Sequence, residues 1–360
     1  MSNIVKRGVA PMNIGIIGAG SISKYHINSY KQVEGCCVKA IADLNLAQAQ
    51  SVADECGITD VYSDYKEMLA DEAIDAVSIV TPTFTHKNIV LDAIKAKKHI
   101  LCEKPPALNA DEVKECAEAA RDYGKCFMFG FVCRFGSSVQ YMKKYIESGK
   151  MGKVICADGA RITALSRWYG WFNSKKKGGG VLIDAAIHEL DLMMYLMGYP
   201  KPKAVLAAQD GSNAGLLNRV KSPIGGWKSA DTGSYERDVE DVIKGFVTFE
   251  NGASLTISAS SILRTVEERR YVEINGDTAG ARFFANGKTL EITEINDEDL
   301  SVTYEPEIEP NDGFLDEIKH FIDCCEGRAE CICRAEEAIR LMEVIDAIYK
   351  SAETGMPVIM

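Results

Sequence analysis

The chain has 360 residues, which at about 150 residues per domain corresponds to two packed domains and excludes a single small module. Its 46% hydrophobic and 26% charged residues, with 30 Gly and 10 Pro, are those of a globular protein with a full core, so disorder and collagen-like structure fall away. A formal charge of −11 repels phosphate backbones and anionic membrane surfaces, so neither nucleic acid nor a membrane is an expected partner. The 12 cysteines include no C-x-x-C pair and read as reduced, mostly packed thiols of a cytoplasmic protein.

In chain order, Lys6 and Arg7 precede an uncharged stretch, Gly8 to Ser23, that could pass for a signal peptide. Pro11, Asn13 and its glycines break any compact apolar core, and Ile14-Gly15-Ile16-Ile17 runs into Gly18-Ala19-Gly20 as a buried strand meets a phosphate loop. No stretch reaches the roughly 18 apolar residues that span a bilayer. Strands are expected at Asn13–Ile17, Val38–Ala42, Ala76–Val80, His99–Cys102 and Cys126–Gly130. Between them lie helices at Leu46–Cys56, Thr85–Lys97 and Ala110–Tyr123, the last capped by Asn109 and closed by Gly124. Such alternation implies a parallel sheet with helices on both faces. Beyond about residue 150 three Asn-Gly pairs, at 251–252, 275–276 and 286–287, adjoin strand-like runs and imply an antiparallel or mixed sheet. Helical runs at about Gly313–Cys325 and Ala335–Thr354 finish the chain. Eight carboxylates and no Lys or Arg fall between Glu291 and Pro310, which places much of the excess charge on one sheet edge or loop.

Gly18-Ala19-Gly20-Ser21-Ile22-Ser23 keeps the first two glycines of G-x-G-x-x-G and has Ser at the third place, where only smallness is needed. Asp43, twenty residues beyond Ser23, is placed to accept the ribose hydroxyls of an adenosine. Leu44 and Asn45 follow with no Lys or Arg for a 2′-phosphate, which favours NAD over NADP. Glu103-Lys104-Pro105-Pro106 follows the His99–Cys102 strand at the edge where open α/β sheets bind ligands, and Pro105 keeps Lys104 off helical geometry. Val181–Met197 reads as one amphipathic helix with an apolar stripe, Ile183, Ala186, Ile187, Leu190, Met193, Met194 and Met197. Asp184, His188, Asp191 and Tyr195 share another, wet face; Asp184 there orients the imidazole of His188 and raises its pKa for general-base work. Asp184, His188 and Asp191 could ligate a metal, but a fourth donor is lacking and Lys104 would be left unexplained, so no metal is expected.

The phosphate loop, Glu103-Lys104-Pro105, Arg134-Phe135 and Gly178-Gly179-Gly180-Val181-Leu182-Ile183-Asp184-Ala185-Ala186-Ile187-His188 together resemble the glucose–fructose oxidoreductase, inositol dehydrogenase and MocA family. The resemblance extends to the closing helices and implies an α/β Rossmann domain over residues 1–131. An α+β domain with an open, mostly antiparallel sheet, for substrate and assembly, is implied over 132–360. It further implies NAD(P)-dependent hydride transfer at a carbinol carbon of a sugar, inositol or other polyol, with His188 as acid/base, Asp184 as its partner and Lys104 on substrate and nicotinamide ribose. Thr81-Pro82-Thr83, His86 and Glu103 would line the cofactor with Gly18, Gly20, Ser21, Ile22 and Asp43. Arg134, Arg161, Trp168 and Tyr169 are weaker substrate candidates, and Tyr235 and Arg237 weaker still. A homodimer or homotetramer is expected, the open sheet face being suited to burial against a second subunit. NAD-dependent glycoside cleavage through transient oxidation and a non-catalytic NAD sensor are the rival readings.

Overall fold

The computed structural model describes residues 11–163, 170–211, 237–263, 265–284, 289–296 and 298–360. The first half alternates β1 (Met12–Ile17), α1 (Ser21–Tyr30), β2 (Cys36–Ala42), α2 (Leu46–Cys56), β3 (Asp60–Tyr62), α3 (Tyr65–Ala70), β4 (Ala76–Ile79), α4 (His86–Lys95), β5 (His99–Glu103), α5 (Ala110–Ala119) and β6 (Phe127–Gly130). The six strands are all parallel, in the order β3-β2-β1-β4-β5-β6. Helices cover both faces, which is why Ile14, Ile16 and Ile17 on β1 and Ile100, Leu101 and Cys102 on β5 are all buried and the strands read as unbroken apolar runs. Asn45 and Asn109 cap α2 and α5, accepting from the Gln48 and Glu112 amides. Gly124, at φ +70°, closes a turn beyond α5 instead of the helix itself, which ends at Ala119. β3 and α3 escaped the sequence reading because three and six residues carry too little periodicity.

The second half contains α6 (Ser137–Glu147), β7 (Val154–Ile162), α7 (Ile187–Leu196), β8 (Pro202–Asp210), β9 (Val242–Phe249), β10 (Ser254–Ser260), β11 (Arg269–Gly276), β12 (Ala279–Phe283), β13 (Leu290–Ile295), β14 (Ser301–Tyr304), α8 (Gly313–Cys325), α9 (Ala335–Thr354) and β15 (Val358–Ile359). Nine strands form one sheet, β14-β13-β12-β11-β7-β10-β9-β8-β15, antiparallel throughout the described residues except at β7–β10. Asn251-Gly252 is the expected hairpin between β9 and β10, with Gly252 at φ +86°. Asn275-Gly276 instead ends β11 at a register shift, because Gly276 packs against the Met151 backbone where no Cβ fits; the third pair lies outside the described residues. The acidic stretch falls on β13, β14 and the segment after them, at the sheet edge. The halves are tied by α9, which packs between α5 and β8 and offers the Asp346 carboxylate to the Ala110 amide at 2.8 Å.

One expected element changes character. Val181–Met197 is not a single amphipathic helix: Val181–Ala186 forms a turn of π-helix, and α7 follows it. Only part of its polar face is wet: Asp184 and His188 stay partly exposed, but Asp191 and Tyr195 are buried. Glu189 and Asp191 are 0% and 1% exposed, because α7 lies against β7 and β11 on one side and α6 on another. A π-turn widens the helix and re-aims the side chains on it, which places Asp184 out of simple α-helical step with His188.

Candidate active site

The carboxyl ends of β1 and β4 mark the point where strand order reverses, and the crevice there is where open α/β sheets bind ligands. Gly18, at φ +108°, makes the turn out of β1; a Cβ there would lie 2.7 Å from the Val80 carbonyl oxygen. Gly20 has nothing within 4 Å of a Cβ, so the N-terminus of α1 is open for close approach of a phosphate, with Ser21 exposed beside it and Ile22 half-buried. Ser23 is buried and its hydroxyl donates to the Gly20 carbonyl at 2.6 Å, so the departure from glycine stitches the loop to the helix. Asp43 accepts from the Ala19 amide through one oxygen and from the Asn45 amide through the other, each at 2.8 Å. It stays partly exposed at the rim, with lone pairs left for ribose hydroxyls. These residues fit the adenosine and pyrophosphate of a dinucleotide.

Lys104 projects from the end of β5, after which the Lys104–Pro105 peptide is cis. Its Nζ donates to the Asp184 carbonyl at 2.8 Å and to Asp184 Oδ1 at 3.2 Å, so the two halves of the chain meet at this pair. Asp184 therefore partners Lys104, and not the imidazole as expected from helical spacing. His188 turns its Nδ1 to Cys133 Sγ at 3.4 Å, and among the described residues no protein group bonds its Nε2. Burial, then the charges of Lys104 and Arg161, hold the His188 imidazole well below its usual pKa, the reverse of the expected direction. The Val181–Ala186 turn is seated by residues that spacing did not single out. Glu240 Oε1 accepts the Leu182 amide at 2.9 Å and the Tyr349 hydroxyl at 3.0 Å. Gly180, at φ +129°, lets them approach, since a Cβ there would sit 2.7 Å from the Glu240 carboxylate. No local pattern marks Glu240 or Tyr349, because they reach the turn from β9's leading segment and from α9.

The remaining expected site residues divide. Thr81 and Pro82 are partly exposed at the end of β4, whereas Thr83 is buried beneath Gly178, whose Cβ position is 2.7 Å from the Thr83 Cβ. His86 is buried, with Nδ1 at 2.8 Å from the Pro105 carbonyl and Nε2 at 2.8 Å from that of Thr81. It braces the Thr81 loop against the Lys104 turn and does not face the crevice. Glu103 also points inward, bonding His26 Nε2 at 2.9 Å and the Lys104 amide at 3.0 Å, so its carboxylate does not line a cofactor site. Arg134 is corrected as a substrate candidate: it is 0% exposed, gripping Asp191 through two bonds of 2.9 and 2.7 Å and Glu337 at 2.6 Å. That pairing also removes Asp191 from any metal shared with Asp184 and His188. Arg161 on β7 stays a quarter exposed while pairing with buried Glu189 at 3.0 Å. Arg237 is held by Asp241 and Asn173. Trp168, Tyr169 and Tyr235 lie outside the described residues.

A parallel dinucleotide-type domain, a Lys–Asp pair and a histidine at its carboxyl edge, and a broad mixed sheet behind them define a two-domain oxidoreductase. Residues 12–131 match the NAD-binding Rossmann fold of the Gfo/Idh/MocA oxidoreductase family and residues 143–360 its C-terminal alpha/beta domain, and the chain belongs to that family. It is 31% identical over 352 residues to D-glucoside 3-dehydrogenase of Escherichia coli K12, covering 96% of this chain and 97% of that one. It is 28% identical over 348 residues to scyllo-inositol 2-dehydrogenase (NAD(+)) of Bacillus subtilis 168, covering 95% and 94% respectively. Among solved structures, levoglucosan dehydrogenase in complex with NADH and L-sorbose shares the fold at TM-score 0.84 and 24% identity, over 98% of this chain and 99% of that one. No helix among the described residues is long and apolar enough to cross a membrane.

Proposed function

We propose that the protein oxidises a ring secondary alcohol of a sugar, glycoside or inositol with NAD, and catalyses the reverse reduction. The observation that carries this reading is the Lys104–Asp184 pair, with His188 within reach of the Lys104 charge, all three partly exposed, on a chain whose parallel sheet also carries an open phosphate loop. Bound nicotinamide supplies the hydride acceptor. His188 takes the hydroxyl proton on Nε2, for which a neutral imidazole is required and is what burial and two neighbouring cations favour. Lys104, held by Asp184, donates to the oxygen as negative charge develops there. Arg161, partly exposed and close enough for its charge to act on His188, is the substrate-binding candidate among the described residues, and Trp168 and Tyr169 remain candidates from sequence. Asp43, without a basic neighbour at 44 or 45, supports NAD over NADP, since a 2′-phosphate would meet a carboxylate with no cation to offset it.

The similarity to D-glucoside 3-dehydrogenase makes the 3-hydroxyl of a D-glucoside the first alcohol to test, with inositols next. The experiment is a panel of glucosides, free aldoses and inositols with NAD and with NADP, following reduced nicotinamide. Turnover with NAD on a cyclic polyol is expected. Tight NAD binding with no turnover across the panel would overturn the enzymatic reading in favour of a sensor.

A further inference from the structure

Beneath Lys104, on the side away from the crevice, lies a buried group that the reaction does not use. His26 on α1, Glu103 at the end of β5 and Glu317 on α8 bring ligand atoms within 4.8 Å of one another, all three buried. Glu103 is well supplied with donors: His26 Nε2 at 2.9 Å on one oxygen and the Lys104 amide at 3.0 Å on the other. His26 in turn meets Ser78 at 3.3 Å, and Ser78 meets Tyr30 at 2.8 Å. Glu317 is 0% exposed and neither of its oxygens has a partner. Phe314, one turn earlier on α8, packs edge-on against the His26 ring.

Two carboxylates this close and this dry do not both ionise. The hydrogen bonds say which one carries the proton: Glu103, with two donors, is the acceptor, and Glu317, with none, is the acid. We infer that Glu317 is a neutral carboxylic acid whose proton serves Glu103, making it a positioning residue that holds the Lys104 backbone from below. The gap is spanned by rotation about the terminal carboxyl torsion or by one bridging water. Burial and the Glu103 charge both push the Glu317 carboxyl above its ordinary range, in the same sense. The other titratable groups facing it are His26 and Tyr30 on α1, Cys133 between β6 and α6, and Cys333 ahead of α9; none is a fixed cation that would hold Glu317 ionised. Its mechanistic part rests on the proposed role of Lys104; its protonation does not.

The test compares Glu317→Gln with Glu317→Leu. Glutamine keeps a neutral donor of the same shape, so kcat and its pH profile should stay within about twofold, whereas leucine removes the donor and should lower kcat about tenfold or more with little change in NAD affinity. Infrared difference spectra of wild type against Glu317→Gln near neutral pH should contain a carboxylic-acid carbonyl band, and this reading needs no turnover. A folded-state pKa above the unfolded one means that wild type loses stability relative to the glutamine variant as pH rises above the ordinary glutamate range, so the difference in Tm, glutamine variant minus wild type, should grow with pH there. Absence of the acid band, or a glutamine variant as impaired as the leucine one, would overturn the assignment. If the leucine variant does not fold, the band and the Tm gap still decide it. Failure of every substrate in the panel would leave both readouts standing and would count against the function alone.

Discussion

At His188 the imidazole is kept neutral by its surroundings: burial acts first, then the cations of Lys104 and Arg161, and all lower its pKa. A base that must be unprotonated to accept a proton should then work well into mild acid, so the acid limb of kcat/KM for alcohol oxidation should lie below the ordinary imidazole range. Replacing Lys104 by Met removes one of the lowering charges; besides costing turnover, it should move that limb to higher pH, measured on the residual rate. An unmoved limb would separate Lys104 from His188. His188→Ala should lower kcat by about 10²–10⁴-fold while NAD affinity, set by the phosphate loop and Asp43, stays nearly unchanged in a binding titration. Arg134 teaches the opposite lesson. Its motif-like place after β6 suits a substrate contact, yet its guanidinium is spent on Asp191 and Glu337 in the interior.

The elements were legible where periodicity is strong. β1, α2 and both closing helices fall where apolar spacing and caps put them, and the glycine loop opens α1 at the carboxyl end of β1 as its spacing implies. What sequence spacing could not convey is direction. A π-turn at Val181–Ala186 sends Asp184 to Lys104 instead of to His188, and its cause lies in Glu240 and Tyr349, distant in sequence. Likewise Cys126, Cys324, Cys325 and Cys331 line one cavity of about 420 Å³ although no C-x-x-C spacing links them. The π-turn makes a direct prediction. Gly180→Ala forces a side chain into φ +129° and against Glu240, which should cost about 1–3 kcal/mol in a denaturation experiment and lower kcat more than it raises KM. An alanine variant of wild-type stability and rate would mean that the turn does not position Asp184.

Across the whole molecule, one face of the nine-stranded sheet carries apolar side chains that a monomer leaves wet. Leu206 on β8 and Phe246 on β9 are paired across the strands and are 50% and 45% exposed. Such a patch is suited to a second copy of the chain. Light scattering should give a dimer or tetramer, and Phe246→Lys should shift it to a smaller species without altering the Lys104–Asp184 pair; a wild-type monomer at working concentration would contradict this. Hydride transfer at a ring carbon can be followed by isotope tracing. With a methyl D-glucoside deuterated at C3 and NAD, mass spectrometry of the reduced cofactor should find the deuterium transferred to it, and the His188→Ala variant should transfer it far more slowly. Reduced cofactor without the label would place the chemistry at another carbon, and no reduced cofactor from any labelled glycoside or inositol would contradict the account.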